Sequence, residues 1–153
     1  MTTNITEERP DTSDALQLLC ELDAVLEKMP YPQESRHAFS VEKLLREGVV
    51  FFVTRIDEAP AGCGGIKVFK EEYGEVKRMY VRPEFRGLGL GRLMLNRLED
   101  HARARSVDHL RLETGIYQTD AIALYEKYGF QRRPPFGDYQ LDPLSLYFEK
   151  HLG

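Results

Sequence analysis

Val81-Arg82-Pro83-Glu84-Phe85-Arg86-Gly87-Leu88-Gly89-Leu90-Gly91-Arg92 decides how the rest of this 153-residue chain is read. Glu75 to Val81 ahead of it reads as a strand. Leu88 to about Arg105 behind it reads as a helix, with Leu90, Met94, Leu98 and Ala102 on one face and Arg92, Asn96, Glu99 and Arg103 on the other. Glycine at 87, 89 and 91 lets the main chain turn tightly with no Cβ in the way of a ligand. A helix opening at such a turn presents unpaired N–H groups and the positive end of its dipole, which together make an anion site. Arg86 and Arg92 add full charges at the two ends, so the stretch reads as a pyrophosphate cradle. Two other phosphate loops fail on spacing. The dinucleotide fingerprint needs a third glycine where Arg92 stands, and the P-loop needs Lys-Ser/Thr where Arg92-Leu93 stands.

Working outward, Val49 to Val53 is a continuous apolar run, as expected of a strand covered on both faces. Asp57 to Pro60 turns the chain. Ala61 to Phe69 is the next strand, with Gly62, Gly64 and Gly65 marking a bulge or a close approach. Glu71 to Gly74 turns again into the strand before the cradle, giving an antiparallel meander. Beyond the helix, His109 to Thr114 alternates as a strand, so strand, helix and strand imply a parallel pair. A helix follows from Thr119 or Asp120 to Tyr128, closed by Gly129, and Phe130–Arg133 and Leu144–Lys150 read as two last strands. Toward the N-terminus, Ala15, Leu18, Leu19, Leu22, Val25, Leu26 and Met29 recur at helical spacing behind the caps of Asp11 to Asp14. Ser40 caps a second helix over Val41 to Glu47. Met1 to Pro10 is polar and expected to be loosely held, with a short edge strand available at Asn4 to Glu8. The expectation is one α/β domain over residues 1–153, a mixed sheet with antiparallel N-terminal strands and a central parallel pair flanked by helices.

Composition narrows the function. A formal net charge of −4 argues against a nucleic-acid surface. Cys20 and Cys63 give neither a disulfide framework nor metal spacing, and the four histidines form no ligand pair at helical spacing. No stretch approaches a membrane span and no apolar signal region opens the chain, so a cytoplasmic protein is expected.

Arg86-x-x-Gly89-x-Gly91 after a strand ending in valine resembles the acyl-CoA loop of the GNAT N-acetyltransferase superfamily. Ala121-Ile122-Ala123-Leu124-Tyr125-Glu126-Lys127-Tyr128-Gly129-Phe130 resembles that family's second signature. The resemblance spans Val49 to Phe148 and implies the GNAT fold, acetyl-CoA as cosubstrate, no metal, and acetyl transfer to an amine. It implies that Met79, Tyr80 and Val81 splay from the neighbouring strand to meet pantetheine and acetyl, with the Met79 N–H as oxyanion donor. It further implies that Arg86, Gly87, Leu88, Gly89, Leu90, Gly91 and Arg92 hold the pyrophosphate and that Tyr125 is the acid that protonates the departing thiolate. Gln118 stands where the family often has an asparagine on the cofactor. A protonated amine cannot attack a thioester, and removing its proton at pH 7 costs about 4–5 kcal/mol from an ordinary value of ~10.4, so a base or desolvation is required. Glu75 and Glu113 are the candidates for that base. Tyr31, Arg36, His37, Phe39, Phe136, Gly137 and Tyr139 are candidates for the acceptor wall. The leading expectation is a small-molecule primary amine as acceptor, with possible homodimers through the late strands. Protein or peptide N-acetylation and non-catalytic acyl-CoA sensing are the alternatives.

Overall fold

The computed structural model describes residues 1–36 and 39–153. Seven strands form one sheet: β1 (Thr3–Glu8), β2 (Val50–Ile56), β3 (Ala59–Phe69), β4 (Tyr73–Val81), β5 (His109–Gly115), β6 (Gln131–Arg132) and β7 (Ser145–His151). Their order is β1-β2-β3-β4-β5-β7-β6. Among the described residues only β4 and β5 pair in parallel; every other neighbouring pair is antiparallel. Four helices cover the sheet: α1 (Ser13–Glu27), α2 (Val41–Arg46), α3 (Leu90–Ala104) and α4 (Thr119–Tyr128). The mixed α/β architecture expected from sequence is therefore present.

The apolar run in β2 shows how the layers form. Val49, Phe51 and Val53 pack with Ala15, Leu18, Leu19 and Leu22 of α1. Phe52, pointing the other way, packs with Met94, Leu95 and Leu98 of α3. Side chains of a strand alternate between faces, so a strand between two helical layers must be apolar throughout.

Several boundaries move. The edge strand expected at Asn4 to Glu8 is present and one residue longer, Thr3 to Glu8 pairing residue for residue with β2. Helix α1 stops at Glu27, short of Met29. Strand β4 begins at Tyr73, two residues before Glu75. The cradle holds a short 3₁₀ turn at Pro83–Phe85, and α3 starts at Leu90 rather than Leu88, since Gly89 is left-handed at φ 76°. Of the strand expected over Phe130–Arg133, only Gln131–Arg132 pairs; Phe130 is drawn into the core beside Tyr125 and Tyr128.

Candidate active site

The site begins with a failure of pairing. Strand β4 pairs β5 only at Gly74–Leu110 and Glu75–Arg111. From Val76 onward β4 follows β3, while β5 runs on to Gly115 against β7. The parallel pair thus opens like a V, with main-chain groups of β4 on one side. A bulge helps to turn β4. Lys77 pairs Gly65 and Tyr80 pairs Cys63, so Arg78 and Met79 together face Gly64, and Arg78 takes φ 56°. The glycines of β3 answer this crowding: a Cβ on Gly64 would lie 2.7 Å from Met94 and one on Gly62 would lie 2.5 Å from the Tyr80 carbonyl oxygen.

The V holds a cleft of about 100 Å³. Met79, Glu75 and Lys77 line it from β4, Glu113 from β5, and Gln118 and Tyr125 from the α4 region. Tyr125 is buried, packed edge-on against Phe130 at 5.7 Å, and burial together with the Glu113 charge pushes its hydroxyl above the ordinary tyrosine range. Glu113 accepts from the Ser145 hydroxyl at 2.8 Å. Glu75 is 4% exposed and its Oε2 accepts from the Tyr139 hydroxyl at 2.6 Å and Lys77 Nζ at 3.0 Å. Burial and Glu75 raise the Tyr139 hydroxyl, so it stays a donor.

At the mouth of the V lies the cradle. Gly87 and Gly89 have φ 82° and 76°, and a Cβ on either would meet nothing within 4 Å. Both are open to a ligand and require the left-handed backbone that glycine adopts freely. Gly89 caps α3 without a side-chain hydrogen bond, leaving the first-turn N–H groups facing out. These features fit an anionic phosphate group. Gly91 carries a packing constraint as well: a Cβ there would stand 2.7 Å from Leu124, so glycine lets α4 approach α3. Arg86 lies exposed, its Nε donating to the Val81 carbonyl at 3.3 Å. Arg92 lies over the Tyr128 ring at 5.3 Å.

A basin of about 1000 Å³ adjoins the cleft and shares Phe39, Glu75, Lys77 and Tyr139 with it. Its walls are the 137–144 segment, α2, residues 32–36 with Phe39, and the facing ends of β3 and β4. Several acceptor-wall candidates have bracing or packing roles, Arg36 in addition to lining the basin. The Arg36 guanidinium donates to the carbonyls of Leu26, Met29 and Tyr31, each at 3.1 Å, and so closes the end of α1. The Tyr31 hydroxyl accepts from the Tyr117 N–H at 2.9 Å over Gly115. Phe136 is buried between Tyr73 and Tyr147. Arg36, Phe39, Gly137 and Tyr139 do line the basin; His37 lies outside the described residues.

Sequence reasoning missed Lys43, Lys67 and Lys77 of the basin. Lys77 was open to it, since a residue two beyond Glu75 on a strand shares its face. It also missed Asp108, His109 and His151, whose ligand atoms lie within 4.8 Å of one another at the end of β5 and β7 opposite the cleft. Cross-strand register joins them, and spacing along the chain carries no trace of it. Among the described residues no helix is long and apolar enough to cross a membrane.

Comparison with known proteins agrees with this geometry. A family model described as the acetyltransferase (GNAT) family matches residues 16–130. An IAA acetyltransferase of Azospirillum brasilense is 47% identical over 149 residues, covering 97% of both chains. The uncharacterized N-acetyltransferase YedL of Escherichia coli is 37% identical, covering 79% of this chain and 77% of that one. Among solved structures, a Klebsiella pneumoniae protein assigned as an acyl-CoA N-acyltransferase superposes with TM-score 0.83 at 37% identity, covering 99% of each chain. The PaiA N-acetyltransferase of Thermoplasma acidophilum, solved with coenzyme A, has the same fold at TM-score 0.79, 21% identity and 99% coverage of each.

Proposed function

From the premise that this chain belongs to the GNAT acetyltransferase family and is an acetyl-CoA-dependent acyltransferase, we propose that its acceptor is the primary amine of a small molecule, acetylated by direct attack. The observation that carries this reading is the basin. It is walled by the 137–144 segment and the α1–α2 connection, and it narrows at Glu75 and Tyr139 into the cleft holding Tyr125 and Glu113. A basin of about 1000 Å³ that joins the cleft has room for a whole small molecule.

Bound acetyl-CoA supplies the acetyl group, its C–S bond breaking as the amine nitrogen bonds to the carbonyl carbon. This chain's residues supply the rest. The first-turn N–H groups of α3 behind Gly87 and Gly89 hold the pyrophosphate. The freed edge of β4 at Met79 to Val81 orients the pantetheine arm, and the Met79 N–H donates to the oxygen on which negative charge develops. Glu75 and Glu113 flank the path of the incoming amine and take its proton, directly or through water. Tyr125 keeps its proton at neutral pH because burial raises it, so a donor always faces the departing sulfur. A thiol of ordinary value, ~8.5, is a stronger acid than such a phenol. Tyr125 therefore stabilises the thiolate by hydrogen bonding, and the proton released by the amine ends on the product thiol through solvent.

The test is release of free CoA thiol from acetyl-CoA against amino acids, polyamines, aminoglycosides, peptides and the compound for which the Azospirillum relative is named. Saturable turnover of a small amine supports the reading. Turnover confined to peptides, or tight CoA binding with no turnover at all, overturns it.

A further inference from the structure

At the end of the β5–β7 ladder remote from the cleft, three side chains that can each hold a metal ion come together. His109 and His151 are cross-strand partners on the last rung of that ladder. Their ring centres lie 4.4 Å apart with the planes at 88°. Asp108, just ahead of β5, reaches both rings: Oδ1 is 2.8 Å from His109 Nδ1 and Oδ2 is 3.9 Å from His151 Nε2. One donor atom from each of the three lies within 4.8 Å of the others. Among the described residues no other group of three or more histidine, cysteine or acidic side chains is gathered this way.

The main chain beneath them is held. The Leu152 N–H donates to the Asp108 carbonyl at 2.7 Å, and the Leu152 side chain is buried in the main core. Strand pairing and this anchor fix the backbone, while the Asp108 and His151 side chains, 61% and 60% exposed, can turn. Two imidazoles and one carboxylate suit a borderline divalent ion such as Zn²⁺, whereas Mg²⁺ and Ca²⁺ take oxygen donors. Bonds of ~2.0–2.2 Å at a tetrahedral angle set two donor atoms about 3.3 Å apart. The 2.8 and 3.9 Å separations fall on either side of that distance, and rotation of the exposed side chains closes the rest. The ring protons have somewhere to go. An ion on His109 Nδ1 leaves the proton on Nε2. His151 Nδ1 accepts from the Gly153 N–H at 3.1 Å; an ion on Nε2 moves the ring proton to Nδ1, and the N–H of the exposed Gly153 turns to water.

We propose that Asp108, His109 and His151 bind one zinc-class divalent ion as a clip between the start of β5 and the end of β7. This goes beyond the acetyl-transfer reading and does not depend on it. Glu113 of the cleft is four residues along β5 from His109, about 13 Å at ~3.3 Å per residue, so the ion stands clear of the chemistry. Three protein donors leave the fourth position to water, unlike a closed four-ligand centre. The ion is therefore exchangeable, and a chelator removes it with the fold intact.

Zinc chloride is titrated into chelator-treated, metal-free protein without CoA, whose thiol would compete, and followed by calorimetry and melting. Wild type is compared with Asp108→Asn, His109→Asn, His151→Asn and Cys20→Ser, with magnesium chloride as the control ion. The expected result is one zinc per chain and a Tm raised by about 5 °C or more at a hundredfold excess over Kd, with no rise in magnesium. Zinc affinity falls at least roughly tenfold in each of the Asp108, His109 and His151 variants, the smallest loss expected when a metal site is disturbed. CoA affinity of those variants in zinc-free buffer equals that of wild type, which shows that they fold. No zinc binding by wild type that binds CoA overturns the site and leaves a solvated His–Asp pair. Zinc binding that survives both histidine changes, or that is lost with the exposed Cys20 thiol instead, overturns it equally.

Discussion

Single residues decide whether the V is built and whether it works. Tyr125→Phe removes one hydroxyl from a buried ring that keeps its contacts with Phe130 and Phe148. We expect kcat to fall roughly 10²-fold or more, the scale of a lost preorganised hydrogen-bond donor to developing charge, while CoA affinity by calorimetry stays within about threefold; equal turnover would make Tyr125 structural. The cradle glycines separate by their surroundings. Gly89→Val puts a branched side chain into open ligand space at a left-handed position, so it should lose CoA binding. Gly91→Val instead strikes Leu124, so its first effect should be a lowered melting temperature from loosened α3–α4 packing. Reversed phenotypes would reverse the two roles. Gly115 is a third case. A Cβ there would lie 1.9 Å from the Tyr31 hydroxyl, which braces the chain between β5 and α4. Gly115→Ala should cost about 1–3 kcal/mol by chemical denaturation.

At the scale of elements, α1 is tied to the open half of β4 by charge. Glu21 accepts from Arg82 at 3.0 and 2.8 Å and from the Tyr80 hydroxyl at 3.1 Å, while Arg78 at the bulge donates to Asp23 at 2.6 Å. Arg82 holds the Glu21 carboxyl below its usual range. A carboxyl lowered by folding stabilises the fold fully above its unfolded value of ~4.3 and loses that contribution as pH falls through the folded value. The Glu21 side chain is 34% exposed, so solvent screens the pair and its worth should stay below about 1 kcal/mol. Melting of wild type and Glu21→Gln should therefore differ by a few degrees at pH 7 and converge below about pH 4; a constant gap would deny the pair its charge. This tie also shows what sequence could and could not yield. The elements were legible because each rests on local chemistry: the 3.6 period of α1, the apolar run of β2, the cap at Ser40, the glycines of the cradle. Glu21, Arg78 and Arg82 were not, since a charged residue on a helix or strand reads the same whether solvated or paired across the fold. For the same reason nothing in the sequence showed that Arg36, which does line the basin, also closes the end of α1. Nor could it show that Gly91 makes room for α4, because nothing local announces Leu124.

Taken whole, the molecule is a sheet with a seam. Strands β1 to β4 carry α1 on one face, strands β5 to β7 form the other half, and the two halves share only the Gly74–Leu110 and Glu75–Arg111 pairs. Helix α3 bridges the seam, packing Met94, Leu95 and Leu98 with Phe52 and Ile66 on one side and Leu110, Leu112 and Phe148 on the other. A ligand in the V would touch both halves where β-pairing is missing and so take the place of the absent strand contacts. Acetyl-CoA at about 100 times its Kd should add about 2.7 kcal/mol of stability. At about 2–4 °C per kcal/mol for a chain of this size, that raises Tm by about 5–11 °C. Amide exchange should slow on Val76–Val81 and on Leu112–Gly115 together, because closing the seam requires both. Gly89→Val should show neither the rise nor the protection. A rise with protection on β4 alone would mean that the ligand rests on the cradle without entering the V, and the splayed strands would then lose their place in the chemistry.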